Sequence, residues 1–91
     1  MGQSYAYVTV KDQKCIIESS YSERFVEDLK RLVPSIDRSW DPEQKTWTVN
    51  IKHLPTVKSL VNSCYGKAYL IEGAVTTNLK TGEGIEQTAM F

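Results

Sequence analysis

The chemistry-bearing residues of this chain are cations set among aromatic rings. Lys30 and Arg31 are adjacent, Arg38 comes just before Trp40, Lys45 just before Trp47, and Lys52 adjoins His53. A lysine or arginine can meet a phosphate oxygen, and a ring offers its π-face to a base, so the interleaving suits nucleic acid. The contact set expected on this basis is Lys30, Arg31, Arg38, Trp40 and Lys45. Trp47 alternates with Val49 and Ile51, which assigns it to the core. Trp40, at a strand end, either caps that core or lies partly exposed. The same cations also fit a plain solvated face, because acidic residues stand near them in sequence.

Catalytic chemistry finds little to work with. The chain has no Ser-His-Asp/Glu set at motif spacing, no phosphate-binding glycine loop and no HExxH. Asp37 with Asp41, or Asp41 with Glu43, would be the paired carboxylates of a hydrolase, but beside Arg38 and Lys45 they read as solvated surface charges. His53 reads as a surface or capping residue. One histidine and two distant cysteines, Cys15 and Cys64, do not make a four-ligand structural zinc set. The cysteines read as small buried apolar residues rather than a disulfide. The expectation is therefore no enzyme, no cofactor and no metal.

These residues must be positioned by one small domain. The chain has 91 residues, 41% of them hydrophobic, with 11 basic and 11 acidic groups and a formal charge of zero. A general polyanion binder carries a basic excess, so any nucleic-acid site here has to be a local patch. The charge is uneven: Glu72, Glu83 and Glu86 face only Lys80 after residue 70, which leaves the earlier part neutral to slightly basic. No apolar run approaches the ~20 residues that cross a bilayer, and "MGQSYAYVTV" lacks the apolar segment of a secretion signal. The expected setting is the cytosol, with no membrane partner.

"YAYVTV" at 5–10 alternates, with Tyr5, Tyr7 and Thr9 on one side and Ala6, Val8 and Val10 on the other. A polar "KDQK" turn and "CIIESS" complete a hairpin over 5–19. Ser22 is a helix N-cap, Glu23 follows at the positive end, and Phe25, Val26, Leu29, Leu32 and Val33 recur at helical spacing until Pro34 stops them. Residues 36–51 form a second hairpin. Ile36, Arg38 and Trp40 share one face, and Asp41-Pro42 starts a type I turn. A second helix carries Leu54, Val57, Leu60, Val61 and Cys64 as its stripe, with Pro55 in the first turn and Gly66 as terminator. "KAYLIEGAVTTNL" adds a strand or two interrupted at Gly73. The predicted fold is α+β, in the order β-β-α-β-β-α. It has a mostly antiparallel sheet, two helices on one face and a possible extra C-terminal strand. Residues 1–79 form the domain and 80–91 a mobile tail.

Residues 21 to 61, "YSERFVEDLKRLVPSIDRSWDPEQKTWTVNIKHLPTVKSLV", resemble the HARP-type small domain found beside the motors of annealing helicases and related phage helicases. The pattern is an aromatic, a helix with a Leu-Lys pair, an Arg before "W/Y-D-P-x-x-K-x-W", a strand and a second helix. Tyr21, Leu29-Lys30, Arg38, Trp40-Asp41-Pro42, Lys45 and Trp47 occupy those positions. The resemblance implies a module that contacts DNA and implicates Lys30, Arg38 and Lys45, with Trp40 as a candidate stacking residue. The expected function is thus a small DNA-binding accessory protein, phage- or plasmid-borne. The alternative is a protein-interaction module. It would pair strand 5–10 as an exposed edge with a protein partner or a second copy, or dock the C-terminal "TAMF" as an arm. A purely structural or inhibitory protein is the third reading.

Overall fold

The computed structural model describes residues 4–82 and 84–86. Its strands are β1 (Tyr5–Lys11), β2 (Lys14–Ser19), β3 (Arg38–Asp41), β4 (Thr46–Asn50), β5 (Lys67–Glu72), β6 (Val75–Asn78) and β7 (Gly84–Glu86), and its helices are α1 (Glu23–Leu32) and α2 (Leu54–Cys64). They form a seven-stranded sheet in the order β3-β4-β2-β1-β5-β6-β7. Only β1 with β5 is a parallel pair; the other neighbours run antiparallel. The predicted α+β class and element order hold.

The first hairpin closes through Asp12 and Gln13, both in the left-handed region at φ 52° and 64°. That is the backbone of a type I′ turn, whose twist matches the strands it joins. Its register sets Val8 abreast of Ile17 and of Leu70, and Ile17 abreast of Trp47. Alternation therefore gathers Ala6, Val8, Cys15, Ile17, Trp47, Val49, Ala68 and Leu70 on one face. Phe25, Leu29 and Val33 from the α1 segment, with Val57, Leu60, Val61 and Tyr65 from the α2 segment, cover it as a single core.

Helix α1 starts where expected: the Ser22 hydroxyl accepts from the Phe25 amide at 3.2 Å, satisfying one of the first-turn donors. It ends at Val33, extended ahead of Pro34. Three apolar assignments are corrected. Ile51, expected on the outgoing strand with Trp47 and Val49, falls in the 3-10 turn after β4 and is only partly buried. Leu32 is exposed, and Ile36, 89% exposed, lies in a short 3-10 turn over Ser35–Asp37 rather than on a strand face with Arg38 and Trp40. The ring of Pro34 fixes the chain direction there, and the tight turn swings Ile36 off the sheet before pairing begins.

The edge-strand expectation is also corrected. Residues 5–10 are interior, paired with β2 on one side and β5 on the other; among the described residues β3 and β7 are the edges. The cause is α2. A parallel neighbour needs a long crossover, and α2 carries the chain over β2 and β1 to lay β5 on the remaining side of β1. Within the segment expected to be a tail, residues 84–86 add β7 alongside β6. The "TAMF" stretch lies outside the described residues.

Candidate nucleic-acid interface

The hairpin of β3 and β4 is built by Asp41. Its Oδ1 accepts from the amides of Glu43 at 2.9 Å and Gln44 at 3.2 Å, and its carbonyl accepts from Lys45 N at 2.7 Å. Asp and Pro in sequence thus form the expected side-chain-supported turn. Lys45 closes it at φ 58°, a left-handed conformation that costs a non-glycine residue about 1 kcal/mol. The bend sets Trp40 abreast of Trp47, with ring centroids 5.3 Å apart and planes inclined by 52°. Trp47 is buried at 9% exposure and backs Trp40, which stays 46% exposed. Of the two readings open for Trp40, the partly exposed one holds.

Between this hairpin and α1 lies a groove of about 580 Å³. Its apolar lining includes Ile17, Phe25, Trp47 and Tyr65; Trp40 and Tyr21 also line it, with the ammonium-bearing Lys30 and Lys45. Tyr21 is 83% exposed. Among the described residues neither lysine forms an ion pair. The nearby serine hydroxyls already hold structural bonds. Ser19 meets the Tyr65 hydroxyl at 3.0 Å, Ser20 accepts from the Tyr5 amide at 3.1 Å, and Ser22 caps α1. Burial pushes the Tyr65 phenol above its ordinary range, with the Ser19 contact opposing.

Lys30, Trp40 and Lys45 therefore converge on one groove, and Arg31 and Arg38 do not line it. Arg31 turns back on its own helix, donating to Asp28 Oδ1 at 2.9 Å, while Arg24 approaches the other oxygen of that carboxylate at 3.9 Å. Arg38 donates from Nε to the Val33 carbonyl at 3.0 Å, tying the end of α1 to β3, and lines a separate hollow of about 170 Å³ with Lys14 and Asp37. The rings of Tyr21, Phe25 and Tyr65 were not in the expected contact set. The 57, 61, 65 spacing after the α2 stripe was a signal for Tyr65, and a lone tyrosine off any apolar stripe was one for Tyr21.

The acidic residues near the hairpin have structural partners. Asp37 was expected to be a solvated charge, but its side chain is only 14% exposed, and Oδ2 accepts from His53 Nε2 at 2.9 Å with Lys52 Nζ at 3.5 Å. The His53 hydrogen bond, helped by the Lys52 charge, holds the Asp37 carboxyl below the usual carboxylate range against the opposing effect of burial. His53 thus occupies the N-cap position of α2, as expected, but its side chain pairs with the Asp37 carboxylate instead of with a first-turn amide. Cys15 and Cys64 are both free thiols, and burial pushes that of Cys15 up. Among the described residues no group of three or more His, Cys, Asp or Glu could hold a metal, and no helix is long and apolar enough to cross a membrane. Compared with family models, curated proteins and solved structures, the chain matches none.

Proposed function

We propose that this protein is a small, non-enzymatic nucleic-acid-binding accessory protein that contacts DNA through the groove beside the Trp40–Trp47 hairpin. One observation carries the reading: Lys30 and Lys45, which form no ion pair among the described residues, lie along the same aromatic-walled groove as Trp40 and Tyr21. They come from separate elements, so a helix and a hairpin contribute one cation each. In a protein of zero net charge, such a local pair is what can hold a polyanion. The HARP-type resemblance supports the same reading, since Tyr21, Lys30, Trp40, Lys45 and Trp47 of its pattern all line this groove.

The test is a titration of the protein with DNA, following tryptophan emission at low and moderate salt. Two phosphate contacts on a single strand give a log-log salt slope of about −1.4. Lys30→Glu and Lys45→Glu should each weaken binding while circular dichroism stays native. Unchanged affinity in both variants would remove the proposal. A second reading keeps a specific observation of its own: β3, which carries the half-exposed Trp40, is an outer strand of the sheet among the described residues and a site where another strand can add. Light scattering over a concentration series tests it, and a constant monomer mass with no DNA-free association counts against it.

A further inference from the structure

Resting on the nucleic-acid reading above, we propose that the groove takes one unpaired base, so that the ligand is a single strand or a strand end rather than a closed duplex. The groove's chemistry is divided between cation and ring. Ile17, Phe25, Trp47 and Tyr65 are buried and line it mostly with carbon surface, and the Tyr65 hydroxyl is taken up by Ser19, so this part offers a phosphate little to bind. The charge is confined to the exposed Lys30 and Lys45. A polyanion held by those lysines leaves the aromatic part of the groove wet unless something flat and apolar enters with it.

A base is that object. The volume of about 580 Å³ lies in the range of small-ligand sites and exceeds what one side chain fills. Trp40 is fixed from behind by Trp47 and is half exposed, while Tyr21 is almost wholly free. In a closed duplex the base faces are already stacked on their neighbours, and only base edges and phosphates face outward. Filling this groove from a duplex requires a base to leave the stack, at a cost of a few kcal/mol. A single strand has much less to undo.

Recognition by stacking also sets the selectivity. Ser19, Ser20 and Ser22 already bond to Tyr65, Tyr5 and Phe25, so the groove is poor in uncommitted groups for reading a base edge. Every base has a π-face, so binding tolerates sequence.

The experiment compares three probes against the full chain at low salt, with tryptophan emission as readout. They are an oligothymidylate of about eight nucleotides, a strand of the same length whose residues are abasic, and a blunt duplex with the same number of phosphates. The expected result is quenching and binding by oligothymidylate, with the abasic strand and the duplex each about tenfold weaker. Oligoadenylate should bind within a few-fold of oligothymidylate. Trp40→Ala should lose about tenfold for oligothymidylate and little for the abasic strand, and Trp40→Phe should recover most of the loss. An abasic strand that binds as well as oligothymidylate, or a duplex that binds better, overturns base insertion and leaves the nucleic-acid reading standing. Trp40→Ala with a native circular dichroism spectrum and unchanged affinity overturns it too. No binding of any probe removes both.

Discussion

The molecule carries aromatic rings on both sides of its sheet, and the two groups differ in what their faces touch. On the face away from the helices, Tyr7 of β1 and Tyr69 of β5 are abreast in the parallel pair and stack at 5.3 Å with planes 16° apart. Tyr5 leans on Tyr7 at 5.6 Å. These rings meet as cross-strand neighbours, each shielding the next from water. Lys67 is abreast of Tyr5, so cations are present here as well. On the helix side, Trp40 has Trp47 behind it and an open groove before it, and Tyr21 has no ring partner among the described contacts. An exposed aromatic beside a lysine is thus a weak sign of a binding site. The stronger sign is a ring whose face is open, beside a charge without a counter-ion.

The comparison breaks most readily at the paired tryptophans. Trp47→Ala removes a buried ring from the core and should cost about 3–5 kcal/mol in denaturant unfolding. Trp40→Ala, at its half-exposed neighbour, should cost less than half as much while weakening oligonucleotide binding. Equal stability losses would mean that both rings are core and that the groove is only a packing defect.

The tyrosine array gives the next effect in size. Tyr69→Ala takes away one member of the stacked pair and part of the cover over the sheet, so a loss of about 1–2 kcal/mol is expected. Its affinity for oligothymidylate should be unchanged. A drop in affinity without a drop in stability would put the strand on the wrong face and reverse the contrast between the two regions.

Much of this was legible in the sequence, because local chemistry dominates it. Ser22, Asp41-Pro42, Gly73 and the alternation of Trp47 with Val49 act within a few residues of themselves, and each did what its residue type dictates. The interior place of β1 was not legible, since it depends on where α2 delivers β5, a long-range choice that no periodicity encodes. The site divides the same way. Lys30, Trp40 and Lys45 were named from their interleaving with rings. The Arg31–Asp28 pair lies at helical i,i+3 spacing within the sequence, whereas only the fold shows that Arg38 is held by a backbone carbonyl. Tyr21 and Tyr65 join from outside the hairpin, so spacing within 38–47 had no means of including them.

Free and engaged cations make a smaller, sharper test. Lys45→Asn removes the charge but keeps a residue that tolerates the left-handed backbone at φ 58°, so stability should hold or rise slightly. Its affinity for oligothymidylate should fall about threefold at low salt, and the salt slope should become shallower by about 0.7. Arg31→Gln deletes a charge already paired with Asp28 and should change affinity by less than half that factor. If the two variants lose affinity alike, the groove has no privileged cation.

The smallest effect is a pH dependence at the other end of the hairpin. Asp37, in the 3-10 turn before β3, is joined to His53 and Lys52 in the turn after β4, with Arg38 and Lys14 lining the adjacent hollow. Its carboxyl titrates below the ordinary value because the His53 hydrogen bond and the Lys52 charge favour the anion. The folded value lies below the unfolded one, so the clamp's stabilisation is complete above about pH 4 and is lost as pH falls through the lowered value. Asp37→Asn should therefore be slightly less stable than the parent at neutral pH, and the two urea midpoints should converge as the pH is taken from about 6 down to about 2. The clamp closes the base of the hairpin while Trp40 and Lys45 sit toward its tip, so oligonucleotide affinity at neutral pH should barely move. Parallel acid limbs in the two proteins would mean that Asp37 contributes nothing to holding the hairpin, leaving the Trp40–Trp47 contact and the Asp41 turn to position the groove's rings by themselves.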